Sequence, residues 1–212
     1  MAPKLLPGRH NQARRAPTEG ADPLTAEVVG ISVRDKMEHR ATNGRLLSGK
    51  ALQRFDAVMR APFGGIGVRT EGLGTEDECV AEIVYLPPDT REVAPRDRLA
   101  EEACAMFARY LRDPAVPLEL PLKPVGTRFQ RRVWAQIAKI PSGRVLSYGA
   151  VARELHSGPR AVGQACGANY FPLVIPCHRV VASGGIGGFA RGDGGFHLAI
   201  KRWLLAHEGV EI

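Results

Sequence analysis

A chain of 212 residues with 44% hydrophobic content can build one ordinary domain and a smaller one around packed cores, which excludes a chain disordered throughout. No apolar run approaches the roughly 18 to 20 residues that span a bilayer, and no short apolar stretch follows the basic N-terminus as a secretory signal requires. The expectation is a soluble, cytoplasmic protein with no membrane partner, and its net charge of +7 is unevenly spread: +4 over residues 1–50, −4 over 51–123 and +7 over 124–212. A basic C-terminal part suits a polyanion such as nucleic acid, although basic surfaces also serve solubility alone.

Residues 1–50 contain Pro3, Pro7, Pro17 and Pro23, scattered arginines and no sustained periodicity, a composition that predicts disorder. Lys4, Arg9, Arg14 and Arg15 precede the first acid, Glu19, so a transit peptide, a dispensable tail and a misassigned start all stay open. Short β-like runs follow over Arg54–Arg60, Gly65–Thr70 and Cys79–Leu86, with Pro87-Pro88 ending the last; they predict a three-stranded meander. Arg96–Arg112 carries Leu99, Cys104, Met106, Phe107, Tyr110 and Leu111 near helical spacing and predicts a helix packed on that sheet.

A proline-spaced linker, Pro114–Pro124, marks a boundary near residue 123. Thr127 then suits the N-cap of a helix reaching about Lys139. Two short helical stretches, Tyr148–Leu155 and Pro159–Ala168, flank His156-Ser157-Gly158 as in a helix-turn-helix. The last predicted helix, His197–His207, offers Leu198, Ile200, Trp203, Leu204 and Leu205 for burial.

The four cysteines, Cys79, Cys104, Cys166 and Cys177, form no C-x-x-C pair, and His10, His39 and His156 have no partner at ligand spacing. Neither disulfides nor a metal are expected. In Ile175-Pro176-Cys177-His178-Arg179-Val180-Val181 a cysteine sits beside histidine and arginine within an apolar run. A basic neighbour activates a thiol; simple burial makes it inert, and spacing alone leaves both readings open.

Pro176-Cys177-His178-Arg179-Val180 resembles the active-site motif of the methylated-DNA–protein-cysteine methyltransferases, also called O6-alkylguanine-DNA alkyltransferases. Ser147-Tyr148, Arg160-Ala161-Val162-Gly163, Asn169 and Trp203-Leu204-Leu205-Ala206-His207-Glu208-Gly209 match the family in the same order, so the similarity covers residues 127–212. The resemblance implies a mixed α/β (α+β) fold: a ribonuclease H-like N-terminal domain over 51–123 and a winged-helix-like alkyl-acceptor domain over 124–212. It implies action on double-stranded DNA containing O6-alkylguanine; a monomer without a cofactor is the simplest expectation. Some relatives bind zinc near the N-terminus, but residues 1–50 contain no cysteine.

By the same resemblance Cys177 is the alkyl acceptor, His178 takes its proton through a water, and Glu208 orients His178. Tyr148 lies near the 3′ phosphate and assists the leaving guanine. Arg160 fills the gap left by the flipped base, Ala161 and Gly163 lie on the helix placed in the minor groove, and Asn169 ties that helix to the active-site segment. The carbonyls of Cys177 and Val180 face the guanine amine, and the amide near Ala190 faces O6. The stretch Gly187–His197 is longer than the family's usual substrate loop. Three other readings make different demands: a lesion sensor lacks the acceptor cysteine, a transcription regulator leaves Cys177, His178 and Glu208 unexplained, and a cysteine hydrolase turns over.

Overall fold

Three antiparallel strands, β1 (Ala57–Ala61), β2 (Gly64–Glu71) and β3 (Cys79–Leu86), form a sheet of order β1-β2-β3 in the computed structural model, which describes residues 54–189 and 195–211. The expectation of disorder over 1–50 and the assignment to Ala190 lie outside the described residues. The meander agrees with the predicted one, and Gly64 explains its tight first turn: φ is +137°, and a Cβ there would stand 2.4 Å from the Leu86 carbonyl oxygen. Alternation sorts the sheet's faces, with Ile66, Val68, Ile83 and Tyr85 turned to the main core and Val58 and Leu86 packed with Phe55 on the other side.

Helix α1 (Arg98–Tyr110) starts at Asp97, whose carboxylate accepts from the Ala100 N–H and from the Thr70 hydroxyl, both at 2.8 Å, so its cap also fixes it to β2. It packs on the sheet through Leu99, Ala100, Ala103, Phe107 and Tyr110. Cys104 and Met106, placed on the apolar face by spacing, are only partly buried; the stripe runs one position to the side, through two alanines small enough for close approach.

The proline-spaced stretch after α1 is tied down along the outer edge of β3. The Val80 N–H donates to Pro121 O at 2.7 Å, the Lys123 N–H to Val80 O at 2.9 Å, and Lys123 pairs with Glu71. Further along that edge the Ile83 N–H donates to Tyr170 O at 2.9 Å.

Helix α2 (Arg128–Ile137) opens on a capping box in which Thr127 and Gln130 satisfy each other's backbone N–H groups. The buried Trp134 indole N–H donates to Ala165 O at 2.9 Å, tying α2 to α4. Strand β4 (Leu146–Ser147) runs straight into α3 (Tyr148–Glu154), and α4 (Pro159–Gly167) follows after a short turn, close to the predicted helix pair. A 3₁₀ turn (Cys177–Arg179) leads into β5 (Val180–Val181), which pairs in parallel with β4, Leu146 opposite Val180 and Ser147 opposite Val181. Helix α5 (Phe196–His207) closes the fold.

The buried apolar residues on the inner face of the sheet form one continuous cluster with those of α1, α2, α4 and α5. No helix among the described residues is long and apolar enough to cross a membrane.

Candidate active site

Cys177 opens the 3₁₀ turn, 4% exposed within the core. Its sulfur lies 3.3 Å from Asn169 Nδ2, which also donates to Ile175 O at 2.8 Å, while Asn169 Oδ1 accepts from the Phe171 N–H at 2.9 Å. Asn169 therefore clamps the exit of α4 to both ends of the segment that delivers the thiol. Burial pushes the Cys177 thiol up, more than the Asn169 amide, the Lys201 charge and nearby backbone N–H groups pull it down, so the resting sulfur carries its proton. Asn169→Ala removes both donors and strands the Phe171 N–H; its expected cost is about 1–3 kcal/mol in a urea unfolding curve.

A protonated thiol needs a base, and the next residue meets that need. His178 is fully buried, and its Nε2 lies 2.9 Å from Glu208 Oε1. Burial would raise the Glu208 carboxyl, but hydrogen bonds from His178, Arg179 and Tyr110 outweigh it and hold the group well below the usual carboxylate range. An ionised carboxylate only accepts, so Nε2 bears the imidazole proton. Burial keeps His178 neutral, against the pull of Glu208. Nδ1 is then the lone-pair nitrogen, and it has no hydrogen-bond partner among the described residues.

Glu208 is anchored independently of His178. Arg179 Nε donates to both its oxygens at 3.2 and 3.0 Å and Nη2 to Oε1 at 2.8 Å, while Arg179 Nη1 reaches Ile140 O at 2.6 Å. The Tyr110 hydroxyl adds a third donor, 2.6 Å from Oε1.

On the other side of Cys177, Lys201 of α5 is completely buried; its ammonium donates to Val180 O at 2.6 Å and to Gly188 O at 3.1 Å. Burial pushes its pKa down to about 8, leaving the cation only a small margin at neutral pH. Gly188 O also accepts from the Tyr148 hydroxyl at 3.0 Å. The β4–β5 pairing explains how Tyr148 comes here, since it sets the start of α3 beside the strand that follows Cys177. Burial raises the Tyr148 phenol well above its usual value, so it remains a proton donor.

A family model described as the DNA-binding domain of 6-O-methylguanine DNA methyltransferase matches residues 128–210. A methylated-DNA–protein-cysteine methyltransferase of Archaeoglobus fulgidus is 38% identical over 113 residues, 51% of this chain and 75% of that relative. The chain belongs to the methylated-DNA–protein-cysteine methyltransferase family. A family member from Saccharolobus islandicus is 41% identical over 103 residues, 49% of this chain, and the chain spans 65% of that relative's length. The crystal structure of the Mycobacterium tuberculosis O6-methylguanine methyltransferase superposes with a TM-score of 0.56 at 28% identity, covering 71% of this chain and 90% of that one. The same organism's OGT in complex with DNA gives 0.57 at 28% identity, over 72% and 91%. The mixed α/β fold is that of these structures.

Of the residues matched to the family's motifs, Cys177 pairs with Asn169 and the adjacent His178 with Glu208, while Tyr148 shares Gly188 O with Lys201, which also holds Val180 O. The Val180 and Cys177 carbonyls each already hold one donor, Lys201 Nζ and the Val180 N–H. A carbonyl oxygen has two lone pairs, so that one donor does not saturate either. Arg160, second residue of α4, is exposed, with Ala161 partly exposed beside it. A Cβ at Gly163 would sit 3.8 Å from the Tyr148 ring, an ordinary contact, so the fold itself does not demand glycine there.

Three members of the site went unassigned in the sequence. Arg179 stands in the quoted motif, but nothing in the motif says that it pairs with Glu208. Lys201 carries the wrong chemistry for a core position, and Tyr110 lies 98 residues from its partner. A lysine on the apolar stripe of α5, between Ile200 and Leu204, was the one available signal.

Proposed function

We propose that the protein repairs alkylated DNA by moving an alkyl group from O6 of guanine in duplex DNA onto Sγ of its own Cys177, once per molecule. The observation that carries this reading is the tautomer fixed at His178. Glu208 holds the proton on Nε2, so the lone pair on Nδ1 is the one free to draw the Cys177 proton, through a water, as the thiol approaches the alkyl carbon. The S–C bond forms as the C–O bond breaks in line, and guanine leaves with the electron pair. The product is a thioether with no acyl carbon for water to attack, so the acceptor is not regenerated.

Tyr148 assists the leaving base. It has one hydroxyl proton, which now goes to Gly188 O; serving guanine requires it to let go of the glycine-rich loop. The Cys177 and Val180 carbonyls receive the guanine amine. The amide near Ala190, proposed for O6, lies outside the described residues. The N-terminal unit, 51–123, is read as ribonuclease H-like and 124–212 as a winged-helix-like unit that docks α4 in the minor groove, with Arg160, Ala161 and Gly163 on the DNA side. The protein works as a cytoplasmic monomer without cofactor or metal.

An alkyl group inside a stacked duplex cannot reach a 4%-exposed thiol, so the nucleotide must flip out at a cost of a few kcal/mol. Arg160 is suited to fill the gap. Arg160→Ala is expected to slow repair of a duplex by roughly tenfold or more, and far less when the same lesion sits in a single strand, where no stack has to be opened.

Intact-protein mass spectrometry after incubation with excess duplex carrying one O6-methylguanine tests the whole reading. The expected result is one added methyl group on Cys177, saturating at one per chain. Unmodified protein still bound to the lesion would make it a sensor, and product in excess of protein would make it a turnover enzyme.

A further inference from the structure

The Glu208 carboxylate is reached from the other half of the molecule. Tyr110, last residue of α1, is 1% exposed, and its hydroxyl donates to Oε1 at 2.6 Å, the same oxygen that receives the His178 Nε2 proton. Its backbone is anchored at the same place: Tyr110 O lies 2.8 Å from His207 Nε2, which must be the donor, and the two rings meet edge to face at 5.5 Å. The hydroxyl is the part of Tyr110 that is hydrogen-bonded to the carboxylate, and Phe would keep the ring.

We propose that Tyr110 is a positioning residue of the Glu208–His178 pair, through which the N-terminal sheet-and-helix unit sets how strongly Glu208 draws on the imidazole that serves Cys177. The inference rests on the relay described under the proposed function. A hydroxyl proton on Oε1 neutralises part of the charge that His178 feels and, with Arg179, fixes the direction in which that oxygen points. The groups that face Glu208 are Tyr110 from α1, Tyr85 from β3, and His178 and Arg179 from the 3₁₀ turn; His178 is faced in addition by Lys201 from α5. Among the described residues, Tyr110 and Tyr85 are the ones from the N-terminal unit, and the Tyr85 hydroxyl makes no hydrogen bond there.

Without the Tyr110 hydroxyl the carboxylate pulls harder on the Nε2 proton and favours the imidazolium. The pH at which His178 becomes neutral, and so able to accept the thiol proton, moves upward. A merely structural role for the ring would leave that pH where it is.

The test measures alkylation of Cys177 by iodoacetamide from about pH 5 to 9, located by peptide mass spectrometry, in the parent chain, Tyr110→Phe, Glu208→Gln and the double variant. Single-turnover transfer from an O6-methylguanine duplex is followed in parallel. Tyr110→Phe is expected to move the acidic limb of Cys177 alkylation upward by about half a pH unit, which slows alkylation about threefold on that limb. In the Glu208→Gln background it should add nothing. An unmoved limb in Tyr110→Phe, or an equal effect with and without the carboxylate, overturns the proposal. A limb that moves in Tyr110→Phe while the parent chain transfers no methyl group would instead discard the repair reading and keep Tyr110 in its positioning role.

Discussion

With Cys177 replaced by alanine, the chain is expected to bind a duplex carrying one O6-methylguanine about as tightly as the parent and to acquire no methyl group at all. The two halves of this result separate because they rest on different parts of the molecule. On the proposed reading, affinity would come from phosphate contacts spread over a basic surface, while the covalent step needs one sulfur. The substitution is small: the side chain it shortens touches Asn169, which keeps its bond to Ile175 O. Filter binding or fluorescence anisotropy reads the first half, and intact mass the second. Methyl transfer to Cys166, which is also buried and whose pKa burial pushes up to about 12, would show that the acceptor had been misassigned.

Glu208→Gln is expected to have the second largest effect, and on two quantities together. The amide cannot accept all the donors that converge on the carboxylate, and it leaves the largely buried Arg179 guanidinium without its counter-charge. Removing one partner of a buried ion pair costs about 3–5 kcal/mol, readable as a lower urea midpoint at neutral pH. Methyl transfer should fall by about 10²- to 10³-fold, because the substitution no longer favours the imidazolium that forms as the thiol proton is drawn away.

The same substitution fixes the sign of a pH effect. The Glu208 carboxyl is held below its unfolded value of about 4.3, so its contribution is complete above that pH and fades as pH falls through the folded value. Parent and variant stabilities should therefore converge in acid, chiefly through a decline in the parent. If the gap were as wide near pH 3 as at pH 7, the stabilising role given to the ionised carboxylate would be wrong.

Local signals in the chain were enough for most of the architecture. The β-runs ended by Pro87-Pro88, the N-cap Thr127, and the glycine turn between Tyr148–Leu155 and Pro159–Ala168 each act over a few residues, and each appears close to its expected place. The β4–β5 pairing was invisible because two-residue strands have no period to detect. Cys177, His178 and Glu208 were legible only through motifs matched in order along the chain.

What the motifs could not convey was the balance of burial against charge. A histidine and an arginine beside Cys177 suggest an activated thiol, yet the fold buries the sulfur so deeply that desolvation wins and the thiol rests protonated. Lys201 and Tyr110 stayed hidden for a related reason. Their roles depend on partners brought close only by tertiary packing: the Val180 carbonyl for one, the Glu208 carboxylate for the other.

The continuity of the apolar cluster bears on how the molecule comes apart. Phe63 of the β1–β2 turn meets Trp203 of α5 at 5.1 Å, Tyr85 of β3 meets Phe189 at 5.9 Å, and the edge of β3 is hydrogen-bonded to Tyr170. Neither half can release its partner without baring aromatic surface and leaving a strand's backbone unpaired. The two halves therefore melt together, in a single cooperative transition, and a fragment cut at the linker loses the scaffold that gives its remaining half a defined shape.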